Sequence, residues 1–559
     1  MTDWGAWIAE TSKELPPAEQ GTKTPARGTG GMVSTSHPLV TAVARKVLED
    51  GGNAVDALLT AMPLQHVVEP QMSTPAGGFG VLYWEAASGK AVYLNANIDR
   101  ASHAPVAADS VPFTHGLRIA VPGAVRGMQA LAERYGTRDW GSYFEPAITV
   151  AEHGYPMYSF LYGEMAGAYD RINHHPSGRD AYAPDGFIPP VGETYRLPAF
   201  ARALERLAQP DGPEWFQTGE FAERFVAEVN RTGGKLTLED LASYQPRWQE
   251  PLAFRAFGTD FLGGPPPEYG PAYAAVGLGV LERTGFDPGG DWRDDPRAVV
   301  LIARSLKVAD DYVGRLLLDP EGFETPIDVL LSDAFLQSQA DIITRSFPKV
   351  DLAPEKPSPT AYPRPGFQGS AHTDSNHITI VDSQGNWLTM LHTVFGTPFG
   401  TGLVVDGISV NSGNIIYFGG TSRGGARRIS TPLPPVFAMR DGAPWLGLGS
   451  PGASCHAVSQ VLINMLPGGM GLYDAIDAPR FRLRGNEAGH AGWRLGTLDI
   501  ETRLPASTVE GLERLGVDLA PLGDYNWHMG SIQAVMRDPD TGALIGSADP
   551  RRAGFAQGF

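Results

Sequence analysis

The 559-residue chain has a single cysteine, Cys455, so it closes no disulfide within itself and offers no thiolate cluster for a metal. It also lacks an apolar run long enough to cross a bilayer. About 18 successive apolar residues are needed, and the richest windows, 58–68 and 457–466, are short and carry Gln, His, Ser or Asn. Basic residues are in deficit, 44 Lys+Arg against 62 Asp+Glu for a net charge of −18, and no dense basic run reverses this locally, which argues against nucleic acid as a partner. The opening Met1-Thr-Asp-Trp-Gly lacks the basic and apolar regions of a secretory signal, and with the lone cysteine this leads to the expectation of a cytoplasmic protein with no membrane partner. What the chain has in quantity is 68 Gly and 47 Pro, the composition of a loop-rich globular protein.

Residues 1–30 are polar, are punctuated by Pro and Gly, and read as a tail, with structure starting near Gly31. From Pro38 the pattern LVTAVARKVLEDGG has helical apolar spacing and closes on Gly51-Gly52, and a second helix follows from Ala54 to about Val68. Gly80–Trp84 and Ala91–Leu94 read as a hairpin. From about 116 to 340 the apolar period is near 3.6 and the segment is expected to be mainly helical. Within 351–366 (DLAPEKPSPTAYPRPG) five prolines resist both helix and sheet, so 350–370 is the linker candidate. Beyond it the period becomes two: His377–Asp382, a Ser383-Gln-Gly-Asn turn and Trp387–Thr393 form a second hairpin signature. The strand at Trp445 then leads through Ser450-Pro-Gly-Ala-Ser454 into a helix over 455–465. No internal repeat at a fixed period is present.

Three patterns could carry chemistry. The 450–454 loop opens a helix, where unpaired N–H groups can stabilise an oxyanion, although an ordinary turn with Ser454 as N-cap explains the same residues. Gly420-Thr-Ser-Arg-Gly424 has the spacing of a nucleophile elbow, but the Pro-rich sequence after it cannot form the required helix. His372, Asp374 and His377, and separately His174-His175, have no metal-ligand spacing. The junction Asp374-Ser375 is the most informative: a chain cut there exposes a serine whose free α-amino group, of ordinary pKa near 8, can act as base for its own hydroxyl. Composition and spacing alone favour a plain strand start at that point.

Motifs distributed along the chain add to this reading. Gly31-Met-Val-Ser-Thr-Ser-His-Pro-Leu, Gly51-Gly-Asn-Ala-Val-Asp-Ala, Val68-Glu-Pro, Gly77-Gly-Phe, Val121-Pro-Gly-Ala-Val, Glu133-Arg-Tyr-Gly, Pro146-Ala-Ile, Glu152-His-Gly-Tyr, Leu236-Thr-Leu-Glu-Asp-Leu-Ala-Ser-Tyr and Asp382-x-x-Gly-Asn386 occur in order. The chain thereby resembles the γ-glutamyltransferase family of amino-terminal nucleophile hydrolases from about Gly31 onward. The resemblance implies an α+β protein, a four-layered αββα sandwich made as one precursor. The precursor cuts itself into a large segment, 31–374, and a small segment, 375–559, which stay associated as one domain.

By the same resemblance the cut falls between Asp374 and Ser375, with Ser375 in place of the usual Thr. Thr393 matches a threonine that hydrogen-bonds the nucleophile. Gly452 and Ala453 are the oxyanion donors, and Ser430-Thr431 match a Ser-Ser pair in the substrate pocket. The arginine that holds a glutamyl α-carboxylate has no single match: the strand points to Asn97, the Ala104-Pro105 pair to Ala101, and Arg100 lies between. The positions that hold the α-amino group are Phe395 and Tyr417, aromatics where polar groups are usual. These departures lead to the expectation of an autoprocessing hydrolase or acyltransferase acting on a small-molecule amide or acyl bond other than a standard γ-glutamyl amide. No cofactor or metal is needed. The rival is an unprocessed relative that only binds a ligand.

Overall fold

The strand Asn376–Val381 pairs antiparallel with Trp387–Thr393 around a turn held by Asp382, and every side chain in both strands is buried. A sheet covered on one face alternates apolar with polar residues, whereas one covered on both faces has no dry and wet sides to distinguish. These two strands run through the middle of such a sheet. The computed structural model describes residues 2–103, 111–347, 375–414, 427–484 and 495–559.

Fourteen strands build two seven-stranded sheets. In chain order they are β1 (Ala26–Gly28), β2 (Met32–Thr35), β3 (Gly78–Glu85), β4 (Lys90–Ala96), β5 (Arg247–Gln249), β6 (Leu252–Ala256) and β7 (Thr259–Gly263). After these come β8 (Asn376–Val381), β9 (Trp387–Thr393), β10 (Val436–Arg440), β11 (Ala443–Gly449), β12 (Gln533–Arg537), β13 (Leu544–Ala548) and β14 (Phe555–Gly558). The first sheet has the order β14-β2-β8-β9-β3-β4-β5 and the second β1-β13-β12-β11-β10-β7-β6. Both sheets interleave strands from before and after residue 375.

The sheets meet through Met32, Leu82, Trp84, Val381 and Trp387 of the first and Phe437, Val535 and Leu544 of the second. The outer face of the first sheet packs on α2 (Pro38–Glu49) and α3 (Ala54–Val68), and α1 (Trp4–Thr11) adds Trp4 to the same core from outside them. The second is covered by α4 (Gly270–Arg283), α5 (Pro296–Leu316) and α6 (Ser454–Met465). The order of layers is helix, sheet, sheet, helix, as the resemblance implies. All fifteen residues of α3 are buried, and the helix starts at a capping box formed by Asn53 and Asp56. Asp56 also accepts from the Thr137 N–H at 2.8 Å and the Tyr143 hydroxyl at 2.8 Å, which ties the helix start to the next segment.

One expectation needs correction. Ordered structure begins well before Gly31: Asp3 caps α1 by accepting from the Ala6 N–H at 3.0 Å, Trp4 is buried, and β1 pairs with β13. The 116–340 segment is mainly helical, as expected, and also contributes β5, β6 and β7 between residues 247 and 263. These strands are short, β5 and β6 are edge strands of their sheets and β7 lies next to β6, so few apolar residues mark them.

Candidate active site

Sheet register builds one end of the site. It pairs Asn376 with His392, Thr393 with Gly78, and Phe79 with Ala96. Extending the first and last of these by one residue lines Ser375, Thr393, Gly78 and Asn97 across four adjacent strands. Side chains alternate along a strand, and the residues in step with this row, His377 and Leu391, lie against Gly449 of the second sheet. The row therefore faces the space between the sheets. That space is polar at this end: His377 Nε2 and Thr389 Oγ1 are 2.7 Å apart, and Thr379 Oγ1 donates to the Gln533 carbonyl at 3.1 Å.

Ser375 is 6% exposed. Its carbonyl accepts from Arg552 Nη1 at 2.8 Å, and the Arg552 guanidinium stands 5.3 Å from the Phe160 ring centre and 5.4 Å from that of Trp527. On the opposite face, the side-chain amide of Asn376 sits among Ser36, Glu69 and Ser73 and fixes the start of β8. Thr393 Oγ1 accepts from the Phe395 N–H at 2.9 Å.

The 450–454 loop leaves β11 at Gly449 and packs on 527–530, beside Arg552. Gly452 has φ 78°, a left-handed conformation glycine adopts without strain, and Ala453 follows with φ −71° and ψ 53° as Ser454 N–H donates to the Gly452 carbonyl at 2.7 Å. A left-handed residue followed by such a turn directs successive N–H groups to one side, a concavity suited to an anion. Among the described residues the N–H groups of Gly452 and Ala453 meet no acceptor. Ser454 is the first helical residue rather than the cap, and its Oγ donates to the Pro432 carbonyl at 3.2 Å.

Ser430 and Thr431 are held between two segments. Ile429 N–H donates to the Ile98 carbonyl at 3.1 Å and Tyr269 N–H to the Thr431 carbonyl at 2.9 Å. The three residues that competed for the carboxylate role separate clearly. Asn97 lies in the sheet row with its side chain buried. Arg100 sits outside the row, its N–H on the Arg427 carbonyl at 2.7 Å and its side chain lining a small cavity with Asp319, Arg427 and Ser430. Ala101 donates its N–H to Asn414 Oδ1 at 3.3 Å. Phe395 is fully buried at φ 56° in an apolar cluster with Ile98, Ala120 and Ile429. Tyr417, Asp374, His372 and the 420–424 motif lie outside the described residues.

Three residues escaped the sequence reading. Glu268 is fully buried and accepts from both Asn97 Nδ2 and Thr431 Oγ1. Burial pushes its carboxyl up to about 8, against the opposing pull of its hydrogen bonds and of the Arg428 charge. Arg428 is buried too, donating to Asp99 at 2.6 Å, to Asn95 Oδ1 at 2.7 Å and to the Gln245 carbonyl at 2.8 Å. Arg552 is the third. The available signals were a Glu directly after three prolines and two Arg-Arg pairs in a chain poor in basic residues. A cavity of about 730 Å³ under α1, against Leu39, Val150 and Tyr158, is lined by none of the candidate residues.

The family model of gamma-glutamyltranspeptidase matches residues 40–559. The chain is 27% identical to the glutathione hydrolase proenzyme of Escherichia coli (strain K12), over 97% of this chain and 95% of that protein. It is also 27% identical to the acylase ACY 1 proenzyme of Pseudomonas sp. (strain V22), over 94% and 93%. The crystal structure of cephalosporin acylase from Bacillus halodurans superposes with a TM-score of 0.80 at 25% identity, covering 96% of this chain and 97% of that one. With a match running from α2 to the last residue, the chain belongs to the gamma-glutamyltranspeptidase family.

Proposed function

We propose that the chain cuts itself before Ser375 and that the new amino-terminal serine hydrolyses or transfers the acyl group of a small-molecule amide. The observation that carries this reading is the placement of Ser375 beside Thr393, at the end of the molecule that also holds the N–H groups of Gly452 and Ala453, which meet no acceptor among the described residues. In the self-cut, Ser375 Oγ attacks the carbonyl carbon of residue 374, the peptide nitrogen leaves as the α-amine, and water hydrolyses the resulting ester. In turnover, Ser375 Oγ attacks the substrate carbonyl while the α-amine takes its proton. The N–H groups of Gly452 and Ala453 receive the developing oxyanion, where one such donor contributes about 3 kcal/mol of barrier lowering. Collapse expels the leaving amine, which takes the proton back, and water or an acceptor amine then releases the acyl group.

Phe395 and its apolar neighbours favour an acyl group less polar than γ-glutamyl, in keeping with a family whose relatives above include an acylase as well as a glutathione hydrolase. The test is the state of the purified chain. Wild type should yield two fragments on a denaturing gel, one beginning at Ser375, whereas Ser375→Ala should remain intact and inactive. A Ser375→Ala protein cut at the wild-type rate would remove Ser375 from the mechanism.

A further inference from the structure

Two of the residues expected in the substrate pocket already hold a carboxyl group that belongs to the protein. Asn97 Nδ2 and Thr431 Oγ1 come from different segments, the first from the end of the sheet row and the second from the residue after Ser430. Both donate to the carboxyl of Glu268. The Glu268 carboxyl lies over the row's inward face, where Gly78 and Gly80 have no side chains: a Cβ at Gly80 would lie 3.5 Å from Glu268 Oε1. Glu268 reaches this position because Thr431 N–H donates to the Pro267 carbonyl at 3.2 Å and Tyr269 N–H to the Thr431 carbonyl at 2.9 Å, so the two segments run side by side.

We infer that Glu268 determines specificity: it occupies the place of an acyl-group carboxylate, and the pocket therefore selects acyl groups that carry no anion. The inference rests on the proposed acyl-enzyme reading, and it names which substrates the site admits. A second carboxylate brought to the same two donors must displace Glu268 or share a single proton with it, and either event costs the substrate affinity. The atoms left over point the same way. Asn97 Oδ1 and Ser430 Oγ are buried and meet no partner among the described residues, so the free functionality of this pocket is neutral.

A matched pair of chromogenic anilides isolates the effect. Glutaryl and butyryl p-nitroanilides differ only by one terminal carboxylate, which in the glutaryl group stands where a γ-glutamyl α-carboxylate would. Wild type should prefer butyryl by at least about tenfold in kcat/KM, and Glu268→Ala, with both donors released, should shift that ratio toward glutaryl by at least about tenfold. Glu268→Gln keeps the side-chain volume, offers an amide that can neither share nor release a proton, and should shift the ratio in the same direction, which covers the case of an alanine variant that folds poorly. A readout that needs no turnover accompanies these: acetate should raise the melting temperature of Glu268→Ala more than that of wild type, because it fills the released donors.

An unchanged ratio in processed, folded variants, or a wild type that takes glutaryl as readily as butyryl, overturns the role of Glu268 and leaves the nucleophile standing. If no anilide is hydrolysed and the chain is never cut, the acyl-enzyme reading fails. In that case an equal acetate response in variant and wild type overturns the Glu268 assignment, and a response confined to the variant supports it.

Discussion

At the scale of single residues, two positions let chemistry be separated from folding. Ala453 has φ −71°, which proline adopts without strain, yet its N–H is one of the two proposed oxyanion donors. Ala453→Pro should therefore leave melting nearly unchanged and lower kcat by roughly 100-fold or more, the usual cost of one lost donor. Glu268 gives the complementary test in stability. Burial raises its folded pKa to about 8 from an ordinary value near 4.5, so the folded state favours the protonated form. The stability this confers is complete below about pH 4.5 and is lost as pH rises toward about 8. Melting of wild type and Glu268→Gln compared across that range should show the variant gaining on wild type with rising pH and the difference levelling off above about pH 8. Parallel curves would place the Glu268 titration elsewhere.

At the scale of elements, much was legible before the structure, and the misses share a cause. The helices at Pro38–Glu49 and Ala54–Val68 and the hairpin of β8 and β9 were readable because caps, glycine stops and a polar turn mark their ends locally. β5 to β7 were not, because short strands near a sheet edge take their identity from the strands beside them rather than from their own composition. The same limit applies to the site. Ser375, Thr393 and the 450–454 loop could be found through motifs, whereas Glu268 and Arg552 become site residues only when strands and segments far apart in sequence are brought together. Asp56 shows how an element's end can carry more than its own cap: it receives the Asn53 and Thr137 N–H groups and the Tyr143 hydroxyl while fully buried. Asp56→Ala strands these donors and should cost about 3 kcal/mol or more, whereas Asn53→Ala, the loss of a cap, should cost about 1 kcal/mol. Chemical denaturation of the uncut Ser375→Ala background reads both.

At the scale of the molecule, the position of the proposed cut relative to the sheets decides what processing would do. Strands from 1–374 and from 375–559 alternate, and they share five seams: β1 with β13, β7 with β10, β14 with β2, β2 with β8, and β9 with β3. Separating the fragments would expose two sheet interiors, so they should co-elute as one species in native buffer and part only in denaturant. Elution of a free 375–559 fragment under native conditions would contradict this.

The interleaved sheets also give the molecule a direction in time. Before the cut, folding is a unimolecular search in which every seam joins two stretches of one chain. After it, unfolding releases two particles, and the way back is a bimolecular encounter between chains that each hold only part of either sheet. The melting point of the cut form should therefore rise with protein concentration while that of Ser375→Ala does not. Diluted out of denaturant, the intact variant should recover its fold and the cut form should not. Self-cleavage at this position would thus be a ratchet: a molecule that had activated itself would have spent its capacity to refold.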